Sequence, residues 1–173
     1  MPEPMKIHTY PDDVLKTRAE PVIGIDEEIL NLIDRMGETM YAAPGIGLAA
    51  NQVGELRRII VYDLTSREDG HNLSVLINPE IVLAEGEIVH EEACLSVIDF
   101  SADVMRAAKV KVRGMDRNGN PADIDAEGLL AVCLQHEIDH LNGVLFIDHV
   151  SNLKRSLYKK KLKKRMKMEE TSS

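Results

Sequence analysis

Between Asp26 and Ala43, apolar residues recur at helical spacing: Ile29, Leu32, Ile33, Met36 and Met40 share one face. Asp26-Glu27-Glu28 suits the positive end of a helix dipole, and Pro44-Gly45 stops the pattern, so residues 26–43 are predicted to form an amphipathic helix. The pattern then changes. Arg58 to Asp63, Ser74 to Asn78 and Ile81 to His90 are rich in Ile and Val and read as strands. Lys109-Val110-Lys111-Val112-Arg113 alternates with period two, and Asn118-Gly119 is a hairpin turn into a short return strand. From Leu129 to Leu141 the chain is apolar nearly all round, which predicts a helix buried at the centre, with Asp125 placed to cap it and Gly143 to end it. Ser151 is placed to cap a last helix through Met168, whose thin apolar stripe is Leu153, Leu157, Leu162 and Met166. No repeat, Ser/Gly linker or low-complexity block divides the body. The expected fold is α+β: small β-sheets around a buried central helix, an N-terminal amphipathic helix, and a C-terminal helix.

Composition narrows this. A chain of 173 residues fits one domain with a real core, and 3 % aromatics without Trp makes that core aliphatic. The start, MPEPMKIHTYPDD, has no apolar run of the kind a signal peptide needs, and no segment approaches the ~20 apolar residues of a membrane span. A cytoplasmic protein is expected. Charge is divided unevenly. Nine Lys or Arg lie between Lys154 and Lys167 and two Glu follow, so residues 154–173 carry +7 and the rest −15. The basic segment, residues 151–173, is therefore expected to act apart from the body of residues 1–150.

The chemistry concentrates in Gln135-His136-Glu137-Ile138-Asp139-His140. Residues four apart share a helical face, so His136 and His140 can aim at one cation while Glu137 reaches a water beside it. Two histidines are too few for a catalytic metal site, which usually has three protein ligands and an open position. Gly143 continues the metzincin pattern, but Phe146 stands where that pattern needs a ligand, and no glutamate lies about 20 residues downstream. Asp148 and His149 fit no such spacing, so the third ligand is expected upstream. Cys133 shares the face of His136 but sits in an apolar run that favours packing. Cys94, in Glu91-Glu92-Ala93-Cys94-Leu95-Ser96, is harder to explain as packing. A GxG at Gly45-Ile46-Gly47 lacks the Lys and Ser/Thr of a nucleotide loop.

Three segments together resemble the motifs of the peptide deformylases: Gly45-Ile46-Gly47-Leu48-Ala49-Ala50-Asn51-Gln52, Glu92-Ala93-Cys94-Leu95-Ser96 and Gln135-His136-Glu137-Ile138-Asp139-His140-Leu141. Order and spacing match, and the similarity runs from about residue 5 through the basic helix, which resembles that of the bacterial type 1 enzymes. The resemblance implies a hydrolase that removes the formyl group from the N-terminal formyl-methionine of nascent polypeptides. It implies that Cys94, His136 and His140 bind one divalent metal, with Fe²⁺ expected and Zn²⁺, Ni²⁺ or Co²⁺ compatible with the donors. Glu137 would move the proton, and the Gln52 amide with the Leu95 N–H would stabilise the oxyanion. Ile46, Gly47, Glu92, Ala93, Leu129, Val132 and Cys133 would surround the substrate, with His136 at the base of its methionine pocket. The basic helix would dock on the ribosome near the nascent-chain exit. The chain departs from the family pattern at Ala93, where a glycine is usual, at Ile98 for proline, and at Ser101 for arginine. His90 replaces a commonly apolar pocket position. A metalloendopeptidase, or a degenerate ribosome-associated metal-binding protein, would share HExxH; the missing downstream ligand opposes the first, and the presence of Glu137 and Gln52 opposes the second.

Overall fold

The structure is a computed structural model describing residues 3–171. Five antiparallel strands form one sheet in the order β1 (Gly47–Ala49), β2 (Ile59–Tyr62), β3 (Ser74–Glu85), β6 (Lys109–Met115), β7 (Pro121–Glu127). A separate two-stranded sheet pairs β4 (Ile88–Cys94) with β5 (Val97–Arg106). Three α-helices lie among the described residues, α1 (Glu27–Ala42), α2 (Gly128–Leu141) and α3 (Asn152–Thr171), with four short 3-10 turns between elements.

The sheet is covered on both faces near β2, which explains why that strand is an unbroken apolar run. Ile59 and Val61 pack with Ile29, Ile33, Met36 and Met40 of α1. Ile60 and Tyr62 point the other way, into a cluster with Ala131, Leu134, Ile138 and Leu141 of α2. A third cluster, around Val97, Val104, Phe146 and Tyr158, ties β5 and α3 to the chain that follows α2. The amphipathic helix forms as its periodicity predicts, with the Asp26 carboxylate accepting from Ile29 N–H at its start.

Several expectations need correction. The two strands expected over 74–78 and 81–90 are not divided there. β3 runs on through Pro79 because the pairing with β6 slips at that point, and Asn78, at φ 53°, bonds through its side chain to both backbone groups of Val22. The real break is the Gly86 turn, after which β4 begins. Asp125 does not cap α2; it lies in β7 paired with Lys111, and the cap position is Glu127 without a side-chain bond. Ser151 Oγ accepts from Lys154 N–H at the start of α3, but the stripe is misplaced. Leu153 and Leu157 are mostly exposed, and Tyr158 is the buried residue of α3, with Leu162 packed beside that cluster. An aromatic was not counted in the stripe, and it is the one that docks.

One buried carboxylate organises the end of β2. Asp63 accepts from the Tyr41 hydroxyl at 2.6 Å, the Asn72 N–H at 2.8 Å and the backbone and hydroxyl of Thr65, with Arg67 at 3.4 Å. Its N–H donates to the Ile46 carbonyl, and Arg67 donates to the Gly45 carbonyl, so this cluster holds the segment before β1 in place. Burial alone would raise the Asp63 pKa, but the hydrogen bonds from Thr65, Tyr41 and Asn72 outweigh it and lower it. A depressed folded pKa contributes stability that is complete above the unfolded value of about 3.9 and lost as pH falls through the folded one. Asp63→Ala is therefore expected to cost about 3 kcal/mol in urea unfolding at pH 7, a gap that narrows below about pH 4. An equal cost at pH 7 and pH 3 would show that the charge is not what stabilises.

Candidate active site

The helix that carries HExxH leaves β7 directly, and it ends where Gly143, at φ 77°, donates back to the His140 carbonyl. A Cβ on Gly143 would lie 2.6 Å from the Lys16 carbonyl oxygen, so the stop is also a close backbone crossing. Within α2, His136 and His140 lie one turn apart and meet edge to face, with ring centroids separated by 5.0 Å. Cys94 reaches them from another element. It closes β4, and Leu95-Ser96 form the two-residue turn into β5. Its sulfur lies 3.3 Å from His140 Nε2, and one ligand atom from each of Cys94, His136 and His140 lies within 4.8 Å of the others. Ligand atoms about 3.5 Å apart are what a tetrahedral ion at ~2.0–2.3 Å from sulfur and nitrogen requires.

Each of these groups is aimed by a partner. Ser96 N–H and Gln52 Nε2 approach the Cys94 sulfur at 3.4 and 3.7 Å. His136 Nδ1 meets Glu92 at 2.8 Å, which turns Nε2 toward the other ligands. Glu92 is in turn held by Arg106 through two bonds of 2.8 Å, and Arg106 also donates to Asp139 at 2.6 Å. Burial alone would raise the Glu92 pKa, but Arg106 and His136 bring it down to about 2, so it stays a carboxylate. Burial likewise opposes a proton on His136, yet bonds to Cys94 and Glu92 push its pKa well above the usual imidazole value. His140 goes the other way: burial, then the neighbouring His136, lowers it and keeps the ring neutral, the form that ligates metals. One thiol and two imidazoles converging on one point form a donor set that fits a single divalent ion.

Glu137 sits against this group, fully enclosed. Burial raises its pKa to about 7, and its Oε1 has no hydrogen-bond partner. Oε2 lies so near Gly47 that a Cβ there would be at 2.5 Å. Gln52 is fixed at both ends, Oε1 accepting from Ala49 N–H and Nε2 donating to Ser96 Oγ at 3.0 Å. These groups open onto a cleft of about 400 Å³. Its lining comes from Ile46 and Gly47 at β1, His90 and Ala93 of β4, and Leu129, Val132 and Cys133 of α2. Leu95 and Glu92 also border it, so every residue singled out from the motifs except His140 lines this space.

Some expectations shift in detail. Glu92 borders the cleft, and both its oxygens are committed to Arg106 and His136, which makes it a support for the His136 ring. Cys133, with a thiol that burial keeps protonated, stays outside the ligand group. The downstream alternatives are occupied elsewhere: Phe146 is core, Asp148 accepts from Leu145 N–H, and His149 bonds to Asp139. Arg106 and Asp139 escaped sequence reasoning. A charged residue on an otherwise apolar helix was the available signal for Asp139; Arg106, 14 residues from Glu92 in sequence, left none.

An HExxH helix, a cysteine from a hairpin turn and a buried carboxyl beside a cleft define a metal-dependent hydrolase. Residues 4–156 match the family model for polypeptide deformylase. The chain is 54 % identical over 163 residues to the peptide deformylase of Syntrophobacter fumaroxidans, covering 94 % of this chain and 96 % of that one. Against that of Thermodesulfovibrio yellowstonii it is 55 % identical over 159 residues, covering 92 % and 96 %. The fold superposes on a peptide deformylase from Legionella pneumophila with a TM-score of 0.89 at 47 % identity, covering 96 % and 97 % of the two chains. A Synechococcus elongatus peptide deformylase in complex with actinonin gives 0.87 at 44 % identity over 93 % and 88 %. The chain belongs to the polypeptide deformylase family. It is an enzyme, and its reaction is the metal-dependent removal of N-formyl groups from nascent peptides.

The approach of Gly47 to Glu137 generates a sharp test. Gly47→Ala is expected to push the carboxyl aside and lower kcat by about 10²-fold, the scale for displacing a reacting group by about 1 Å. Thermal unfolding should change little. A variant with native turnover would mean that Glu137 needs no fixed position.

Proposed function

We propose that Cys94 Sγ, His136 and His140 hold the metal, and that Fe²⁺ is the physiological ion. The observation that carries this is the approach of one thiol and two imidazoles to within 4.8 Å, beside an enclosed carboxyl. A sulfur with two nitrogens suits the borderline-soft divalent ions, and the family resemblance favours iron among them. When bound, the ion acidifies a water and polarises the formyl oxygen. Glu137 accepts the proton of the water that attacks the formyl carbon, then delivers it to the departing amine, so formate and a free N-terminus result. The unpartnered Oε1 is the atom free to do this. As the carbonyl oxygen gains charge, the Gln52 amide and the Leu95 N–H donate to it. Gln52 needs no rearrangement, because Ala49 and Ser96 already fix its plane.

The substrate lies along the cleft. We assign its apolar lining from α2, Leu129, Val132 and Cys133, to the methionine side chain, with Ile46, Gly47, Glu92 and Ala93 alongside. Residues 1–150 form the catalytic unit in this proposal. The basic residues 151–173 dock on the ribosome, where rRNA phosphate attracts a helix of opposite sign to the acidic body. No helix among the described residues is long and apolar enough to cross a membrane, and we propose the cytoplasm as the site of action.

Anaerobically Fe²⁺-loaded protein should hydrolyse formyl-Met tripeptides and leave acetyl-Met peptides and internal peptide bonds intact. In that assay Glu137→Gln is expected to bind metal and lose most turnover, and Gln52→Leu to slow catalysis by about 10²–10³-fold. Near-native rates in either would remove that residue from the mechanism. Metal analysis separates the cysteines: Cys94→Ser should lose affinity or change metal preference, while Cys133→Ser retains one ion per chain. The reverse pattern would place the third ligand on α2. Truncation after Val150 should abolish co-sedimentation with ribosomes at low salt while short formyl peptides are still deformylated. Equal co-sedimentation of the truncated chain, or binding indifferent to salt, would leave α3 a solvated helix.

A further inference from the structure

The cleft contains a polar ring that the proposed chemistry does not use. β4 alternates, so His90, Glu92 and Cys94 face inward. Cys94 meets the ligand group, and Glu92 is taken up by Arg106 and His136. His90 has no such commitment. Among the described residues its side chain has no hydrogen-bond partner, and Nδ1 is buried without one. The ring lines the cleft together with Ile46, Leu129, Val132 and Cys133. With Nδ1 sealed, Nε2 is the one ring nitrogen that a ligand can reach. The tautomer with its hydrogen on Nε2 leaves a bare nitrogen at the sealed position instead of an unpartnered N–H, and so presents an N–H donor to the cleft. The pocket therefore carries a hydrogen-bond donor in a wall that the family pattern fills with an apolar side chain.

The thioether of methionine makes poor use of such a donor, because its sulfur is a weak acceptor. Oxidation changes that. Methionine sulfoxide has nearly the same shape and gains one strongly accepting oxygen on a new stereocentre. In an apolar pocket that oxygen loses its water and finds nothing in return, whereas beside His90 it finds an N–H. We propose that His90 is a specificity-determining residue that admits formyl-methionine sulfoxide at the N-terminus of the peptide, so that the enzyme deformylates chains whose first residue is already oxidised. This rests on the assignment of the cleft to the first side chain of a formyl peptide.

The test measures kcat/KM for formyl-Met, formyl-norleucine and both sulfoxide epimers of formyl-Met, each in the same tripeptide, with wild-type enzyme, His90→Ile and His90→Gln. Expected is a sulfoxide-to-thioether ratio that falls at least about tenfold in His90→Ile and is largely kept in His90→Gln, which retains a donor. One epimer should be preferred in wild type, and His90→Ile should erase that preference. Norleucine has the shape without the acceptor, so its ratio to methionine should not follow the sulfoxide. Binding of the product peptides Met-Ala-Ser and its sulfoxide, followed by calorimetry, should show the same change in ratio without any chemical step. A ratio that His90→Ile leaves unmoved, or wild-type enzyme blind to the epimers, overturns the role of His90 alone. If wild type turns over none of the formyl peptides, the functional assignment fails first and this inference with it.

Discussion

Arg106 is the residue through which the active site is assembled from separate parts. The three groups proposed to hold the metal arrive on two elements with no covalent reason to meet, Cys94 on the β4–β5 hairpin and the histidines on α2. Arg106, on β5, grips Glu92 on β4 and Asp139 on α2, and Glu92 then sets the ring of His136. A guanidinium suits this task. It cannot lose its proton, and its planar fork matches a carboxylate in two bonds at once. Removing one member of such a buried network strands the others, at a cost of about 3–5 kcal/mol. Stability and ligand geometry are thus coupled through the same few bonds.

Layered packing explains the rest of the arrangement. α1 and α2 cover opposite faces of the five-stranded sheet, so β1 and β2, the strands between them, become rigid on both sides. Gln52 follows β1 in a short helical turn, and its amide is locked before any substrate arrives. A donor already oriented loses no free energy to reorganisation when charge develops on the substrate. The Asp63 cluster does the same for the backbone of Gly45 and Ile46.

How much of this was legible depended on whether the signal was local. The amphipathic helix, β2, the Asn118-Gly119 hairpin and α2 follow from periods that lie within a dozen residues. β5 was not anticipated, since Val97–Arg106 belongs to a two-stranded sheet whose outer face carries Asp103 and Met105 in the open. β3 was divided in error at Pro79 because the slip that tolerates a proline is a property of the pairing, not of the strand. In the site, the ligand residues stood out through motif order, while the ion pairs that aim them did not. Arg106 meets Asp139 across 33 residues, and nothing in either neighbourhood announces the other.

The bare backbone of Gly47 has a consequence for how such an enzyme can diverge. One wall of the cleft lies against the carboxyl of Glu137 with no room for a methyl group. Any side chain added there to reshape the pocket would disturb that carboxyl at the same stroke, so that wall is closed to variation. Another side of the lining is β4, whose inward positions are spaced two apart; Glu92 and Cys94 are tied into the cluster around His136 and His140, and His90 is not. Mutational drift in what the pocket accepts is thereby channelled to that inward position, and it is there that this chain carries His90.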